Sequence, residues 1–172
     1  KKATLPVAFS HTARACPPFC VQPITAAKGV GTIGELEVLY YLKKISRADH
    51  SVLVVDSRTP EWLQQGTIPG SVNIPWNKIS VDGQGTFIVD SEAFVLNDIL
   101  SKDFGVRVTD GKYDFRNAKT LVMFCNGSWC PQSYININTL LKLGYPAYKL
   151  KWYRGGMQSW TSLGLTTVKT SH

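Results

Sequence analysis

The stretch FCNGSWCPQS, Phe124 to Ser133, sets a cysteine where an apolar run ends and a helix is due to begin. Leu121, Val122, Met123 and Phe124 read as a strand that leads into Cys125, and a short polar loop then precedes Pro131. Proline suits a first helical turn, because its missing N–H would have no intrahelical partner there. Unpaired N–H groups at a helix start, with the positive end of its dipole, stabilise an anion and lower the pKa of a nearby thiol. The chemistry on offer is that of a thiolate nucleophile at Cys125, with Asn126, Gly127, Ser128, Trp129 and Cys130 forming the loop that would hold its substrate.

The four cysteines fall into two close pairs, Cys16 with Cys20 in CPPFC and Cys125 with Cys130 in CNGSWC. Four in 172 residues is not a disulfide scaffold. Cys16 and Cys20 admit two readings: a redox couple that exchanges with Cys125 or Cys130 (or joins His11 on a metal), or a pair that fixes the segment around it. Zinc is the weaker option, since neither spacing is CxxC and only three histidines exist, so no metal site and no cofactor is expected. Asn126-Gly127-Ser128 also forms a glycosylation sequon, but a glycan there would obstruct the reactive loop. Trp129 either walls the pocket or caps the surface, and Trp160 belongs to the core.

The elements that must position this loop alternate between strand and helix. Residues 1–31, rich in Pro, Ala and small polar residues, read as an irregular arm, and residues 32–172 as one domain. Thr32 and Glu35 have the spacing of a capping box, followed by a helix to about Ile45 with Leu36, Leu39, Tyr40 and Leu42 at helical spacing. Val52 to Val55 is a run without polar alternation, as in a strand buried on both faces, and Asp56 ends it. Pro60 to Gln65 predicts a short helix and Val72 to Ile74 a second strand. Asp82 to Gly85 reads as a Gly-rich excursion, Phe87 to Val89 as a short extended piece, and Ser91 to Lys102 as a helix on Phe94, Val95 and Ile99. Asp110 to Lys112 marks a turn. After the cysteine loop come a helix on Tyr134, Ile137, Leu140 and Leu141 that stops at Gly144, a strand from Tyr148 to Tyr153 and a final helix from Gly155 to Leu163. The class is α/β with a mainly parallel sheet.

GVGTIG, Gly29 to Gly34, fits the dinucleotide fingerprint formally, yet no convincing strand precedes it. The formal charge of +7 is spread thinly, which with no binding module argues against nucleic acid. Lys142, Lys149, Lys151 and Arg154 follow the loop in sequence and point to a positive field for small anions. No run of about 18 apolar residues exists to span a bilayer. His11, His50 and His172 have no partner motif, and His172 reads as a terminus.

Three separated segments resemble the rhodanese (sulfurtransferase) domain family: VVDSRTPEWLQQGTIPGSVNIP from Val54 to Pro75, the strand and loop at Cys125, and YRGGMQSW from Tyr153 to Trp160. The resemblance covers roughly Thr32 to Leu165. It implies a central parallel sheet of about five strands flanked by helices, with Cys125 taking sulfane sulfur from thiosulfate, a persulfide or polysulfide and passing it to a thiol or cyanide. It also implies that Asp56 and Arg58 lock neighbouring loops and that Gly155 and Gly156 form a tight turn beside the site. The loop departs from the family where an arginine often binds the donor's sulfonate; Ser128, Trp129, Cys130 and Pro131 stand there. That favours a bulkier or less charged donor than thiosulfate. Pro131 also occupies the place where Cys-x5-Arg phosphatases need arginine to clamp phosphate. Cys130 is the second departure: it either resolves the persulfide by closing a disulfide, which needs Cα atoms about 4.4–6.8 Å apart, or merely fills space.

The leading expectation is therefore a sulfurtransferase, with a small sulfur-containing anion as donor and a thiol, small or on a protein, as acceptor. The alternatives are a thiol–disulfide redox protein using Cys125 and Cys130, and a non-catalytic binding or sensor module. Paired cysteines in a proline-rich arm, and a start without Met, point to export to an oxidising space such as the periplasm.

Overall fold

Val52 to Asp56 and Thr120 to Phe124 carry no polar alternation, and they form the middle of a sheet covered on both faces. The computed structural model describes residues 4–11, 14–80 and 90–169. The expected excursion at Asp82 to Gly85, the piece at Phe87 to Val89 and the terminal His172 lie outside the described residues, as do the side chains of Ser91 and Phe94.

In chain order the elements are helix α1 (Val7–Ser10), strand β1 (Gly31–Thr32), α2 (Glu35–Ser46), β2 (Val52–Asp56), α3 (Pro60–Leu63), β3 (Val72–Asn73), α4 (Asp90–Lys102), β4 (Arg107–Thr109), β5 (Lys112–Asp114), β6 (Thr120–Phe124), α5 (Gln132–Lys142), β7 (Leu150–Tyr153) and α6 (Gly156–Ser162). Five strands form one parallel sheet in the order β1-β7-β6-β2-β3, and β4 pairs with β5 in a separate antiparallel hairpin. The class is α/β with helices on both faces, as expected.

Strand periodicity divides the core. Val55, Leu121 and Met123 point into the cluster that holds Leu100, Ile137, Leu140 and Trp152. Val54, Val122 and Phe124 point the other way, against Val38, Met157, Trp160 and, from the arm, Phe9. The chain leaves β2 outward to β3 but leaves β6 toward β7, so the strand order reverses between β2 and β6. That reversal opens a crevice at the carboxyl ends of the two strands, where Asp56 and Phe124 sit opposite each other.

Asp56 and Arg58 close one wall of the crevice, and both are fully buried. The Arg58 Nε–H donates to Asp56 Oδ1 at 2.9 Å and Nη2 to Oδ2 at 2.6 Å, while Nη2 also reaches the Gly66 carbonyl at 2.9 Å. Thr67 Oγ1 donates to Asp56 Oδ2 at 2.7 Å, and Asn73 Nδ2 ties the Asp56 and Arg58 carbonyls together. The pair thus joins the end of β2 to the turn that leads into β3.

One local reading, the capping box, differs from the structure. Helix α2 starts two residues later than the Thr32 box implies. Its N-cap is Gly34, whose N–H donates to Glu37 Oε2 at 2.9 Å, and Thr32 sits in β1 with its hydroxyl on the Ile24 carbonyl. The GVGTIG run cannot act as a fingerprint, because Gly31 and Thr32 form the edge strand itself rather than a strand-to-helix turn. The turn at Asp110 and Gly111 closes a full hairpin, both residues taking positive φ (48° and 70°) as a two-residue hairpin turn requires.

Replacing Arg58 by Met is expected to lower stability by about 3–5 kcal/mol, because it leaves the buried Asp56 carboxylate without its cation. Urea unfolding of the wild type and the variant measures this.

Candidate active site

Cys125 follows β6 directly, so the most constrained strand of the sheet delivers it to the crevice. Ser57 N–H donates to the Phe124 carbonyl at 2.9 Å, which holds the last peptide of β6 against the chain leaving β2. The loop then folds back on itself, the Cys130 N–H donating to the Gly127 carbonyl at 2.9 Å. Pro131, with φ −82°, caps α5.

Helix α6 fastens the same loop from below. The Met157 and Gln158 N–H groups donate to the carbonyls of Cys125 (3.0 Å) and Asn126 (2.9 Å). This approach is possible because residue 156 is glycine: its φ is +54°, and a Cβ would stand 2.3 Å from the Cys125 carbonyl oxygen. Gly155, too, is crowded, a Cβ there falling 2.5 Å from Ser159 Oγ.

Cys125 is 2% exposed and unbridged, and it packs with Trp129 and Cys130, with Trp62 against the same cluster. Burial pushes its thiol pKa up. The opposing contributions win: hydrogen bonds from the Cys130 thiol, the Ser133 N–H and hydroxyl and the Gly127 N–H bring it down from 9.0 to about 7. The Trp152 indole N–H donates to Ser133 Oγ at 3.1 Å, so the serine's own proton is free to face the sulfur. In the protonated state Cys125 donates instead to the Cys130 carbonyl at 3.1 Å. Cys130 moves the other way: burial and the neighbouring Cys125 charge push it well above the ordinary range, so of the two thiols it keeps the proton.

The remaining loop residues lie together. Asn126 is buried, which keeps its sequon from any glycan, and Trp129 is 7% exposed. The Trp129 indole donates to Gln158 Oε1 at 2.7 Å. A Cβ on Gly127 would sit 3.0 Å from both of those groups.

The arm lies across this loop rather than beside the domain. Gln22 N–H donates to the Ser128 carbonyl at 2.8 Å. Phe19 meets Trp129 edge-on at 5.6 Å, and the Arg14 guanidinium stacks on the same indole, 3.6 Å from a ring centroid. Cys16 and Cys20 lie at disulfide distance with Cα atoms 4.6 Å apart, separate from Cys125 and Cys130. Gln158 Nε2 reaches the carbonyl of His11, and Arg154 those of Gln22 and Pro23. Of the four cations expected near the loop, Arg154 is the one that borders this cleft. Lys149 bonds the Ala118 carbonyl at the far end of the sheet. The loop lacks an arginine of its own, yet Arg14 arrives from a segment more than a hundred residues earlier.

Sequence reading missed Arg14, Phe19, Trp62, Trp76, Ser133 and Gln158 as neighbours of the site, whereas Trp152 is expected there from its place in the sequence. Ser133 had a signal, its place in the first turn of the helix after the loop. The others are brought in by tertiary contact alone. No group of His, Cys, Asp or Glu able to hold a metal occurs among the described residues, and no helix among them is long and apolar enough to cross a membrane.

A family model, the rhodanese-like domain, matches residues 39–163. The chain belongs to the rhodanese-like domain family. No curated protein matches it. Among solved structures, the rhodanese-like domain is similar to the BH2092 protein of Bacillus halodurans, with TM-score 0.52 and 18% identity over 81% of this chain and 77% of that one. It is similar also to a Rhodopseudomonas palustris protein described as a possible tyrosine phosphatase, with TM-score 0.53 and 19% identity over 83% and 88%. An EanB variant in complex with ergothioneine matches at TM-score 0.56 and 16% identity, over 82% of this chain and 32% of that one. At these identities the likeness is one of fold.

Ser133→Ala is expected to move the midpoint of Cys125 alkylation upward from about 7, since it removes a donor to the thiolate and leaves burial in place. The iodoacetamide rate followed against pH, with the adduct mapped to Cys125, reads this directly.

Proposed function

We propose that this protein is a sulfurtransferase that carries sulfane sulfur on Cys125. The observation that carries the proposal is a buried thiol set at the carboxyl end of the central strand, in a loop that folds back on itself before a helix, with Ser133, Gly127 and Cys130 as donors that lower its pKa against burial. The Cys125 thiolate attacks the outer sulfur of a donor such as thiosulfate. The donor's S–S bond breaks, sulfite leaves with the bonding electron pair, and Cys125 holds a persulfide anion. The donors that face the thiolate face that charge as well. A thiol or cyanide acceptor then attacks the outer sulfur and restores the Cys125 thiolate.

An organic persulfide, singly charged at most, fits better than thiosulfate. A doubly charged donor needs cations, whereas Arg14 is held on Trp129 and the Ala8 carbonyl, and Arg154 on the arm's carbonyls. Phosphate-ester hydrolysis is disfavoured because Pro131 stands where a clamping guanidinium is needed. The second reading is a dithiol–disulfide couple, favoured by the hydrogen bond between the two thiols; with Cys130 as attacking group it would expel hydrosulfide from the persulfide and close a disulfide. The Cys16–Cys20 pair supports an exported, periplasmic setting.

Intact mass after incubation separates the readings. Reduced protein given a small organic persulfide is expected to gain one sulfur, mapped to Cys125 and absent in Cys125→Ser, with thiosulfate loading at least tenfold slower. Loss of two hydrogens, with Cys125 and Cys130 linked, would favour the redox couple. No change with either donor would leave a binding module.

A further inference from the structure

A cavity of about 210 Å³ opens beside the loop, and its walls are Phe19, Trp62, Trp76, Trp129, Cys130 and Ile135, completed by Pro18, Pro131, Gln132 and Asn126. Three indoles and a phenyl ring surround it, and none of its lining residues is charged. Cys130 forms part of the wall, and Cys125 lies one layer behind, in contact with Trp129 and Cys130. The volume suits one small ring and excludes a peptide-sized thiol. Polar provision is sparse. Asn126 is 2% exposed, and its Oδ1 is buried without a hydrogen-bond partner. A turn of that side chain toward the cavity would let a ligand bearing one N–H or O–H donor satisfy it.

We propose that this cavity binds the organic part of the sulfur donor or acceptor, and that the ligand is a small aromatic thiol or persulfide with no charge beyond its reacting sulfur and a single hydrogen-bond donor. The inference rests on Cys125 as sulfur carrier and specifies the partner with which it exchanges. Aromatic walls give area and stacking to a flat ring, and a charged head would enter without a counter-ion. An aryl persulfide seated there presents its outer sulfur to Cys125. Attack by the thiolate forms the new S–S bond, breaks the old one and releases the arenethiolate, a good leaving group because its charge spreads into the ring. The reverse step loads the arenethiolate with sulfur. Pro18 and Phe19 belong to the Cys16–Cys20 loop, so the arm supplies a wall of the specificity pocket.

Two measurements test this. In the first, phenol, anisole and benzenesulfonate are titrated into isotope-labelled protein and backbone amide shifts are followed by NMR. Phenol is expected to shift the Asn126, Cys130 and Ile135 amides and to bind about tenfold more tightly than anisole, which lacks the donor; benzenesulfonate is expected to bind more weakly still. In the second, protein loaded with a small organic persulfide is discharged with thiophenol or 4-mercaptobenzenesulfonate, two thiols alike in reactivity but not in charge. Wild type is expected to prefer thiophenol, and Trp76→Ala and the pocket-filling Ile135→Phe are each expected to reduce that preference about tenfold. Equal binding of phenol and benzenesulfonate, or an unchanged preference in both variants, would overturn the pocket assignment. Failure of Cys125 to load from the organic persulfide would instead overturn the sulfurtransferase reading, and the phenol titration would still decide the pocket.

Discussion

The site depends on a contest between two opposing effects on one sulfur. Burial behind Trp129 favours the neutral thiol, and the donors at the start of α5, in the loop and on Cys130 favour the thiolate. The donors prevail because they are fixed in place before any charge forms. Ser133 is oriented by the Trp152 indole from β7, Gly127 by the fold of the loop, and Cys130 keeps its proton because a second charge so close would be repelled. Cooperation of this kind requires that strand, loop and helix hold their relative positions, and the rest of the architecture serves that end.

Two features hold them. Strand β6 is paired with β2 along its whole length and with β7 from Leu121 to Phe124, so the peptide before Cys125 has little freedom. Helix α6 then meets the loop so closely that its first residue has no room for a side chain, and its N–H groups grip the successive carbonyls of Cys125 and Asn126. Asp56 and Arg58 secure the opposite bank. The crevice between β2 and β6 therefore has one wall made by a buried ion pair and another made by main-chain hydrogen bonds.

Much of this was legible in the residues themselves. Val52 to Val55 and Leu121 to Phe124 announced central strands because a doubly buried strand has no polar alternation, and the strand, cysteine, proline order announced the loop. What escaped detection lacked a local signal. Strand β1 is two residues long and includes a glycine, so no apolar run marks it. The capping box was misplaced by two residues because Thr32-Glu35 and Gly34-Glu37 share a spacing, and only the backbone path decides between them. The turn at Asp110 and Gly111 is legible, but the three-residue strands it joins are not, because Arg107–Thr109 and Lys112–Asp114 carry no apolar run. The arm's role was hidden most deeply: Arg14 and Phe19 meet Trp129 through tertiary contact, and no periodicity encodes a distance of more than a hundred residues.

The arm's anchorage has its own significance. Near its beginning Phe9 is sunk among Met157 and Trp160 under one face of the sheet, and at its end Gly31 and Thr32 extend the sheet's edge alongside β7. Between these moorings it crosses the reactive loop like a strap drawn over a lid. A disturbance at either mooring, far from any sulfur, would slacken the span above Trp129, so the doorway to the crevice is governed by residues at the rim of the fold as much as by those beside the chemistry.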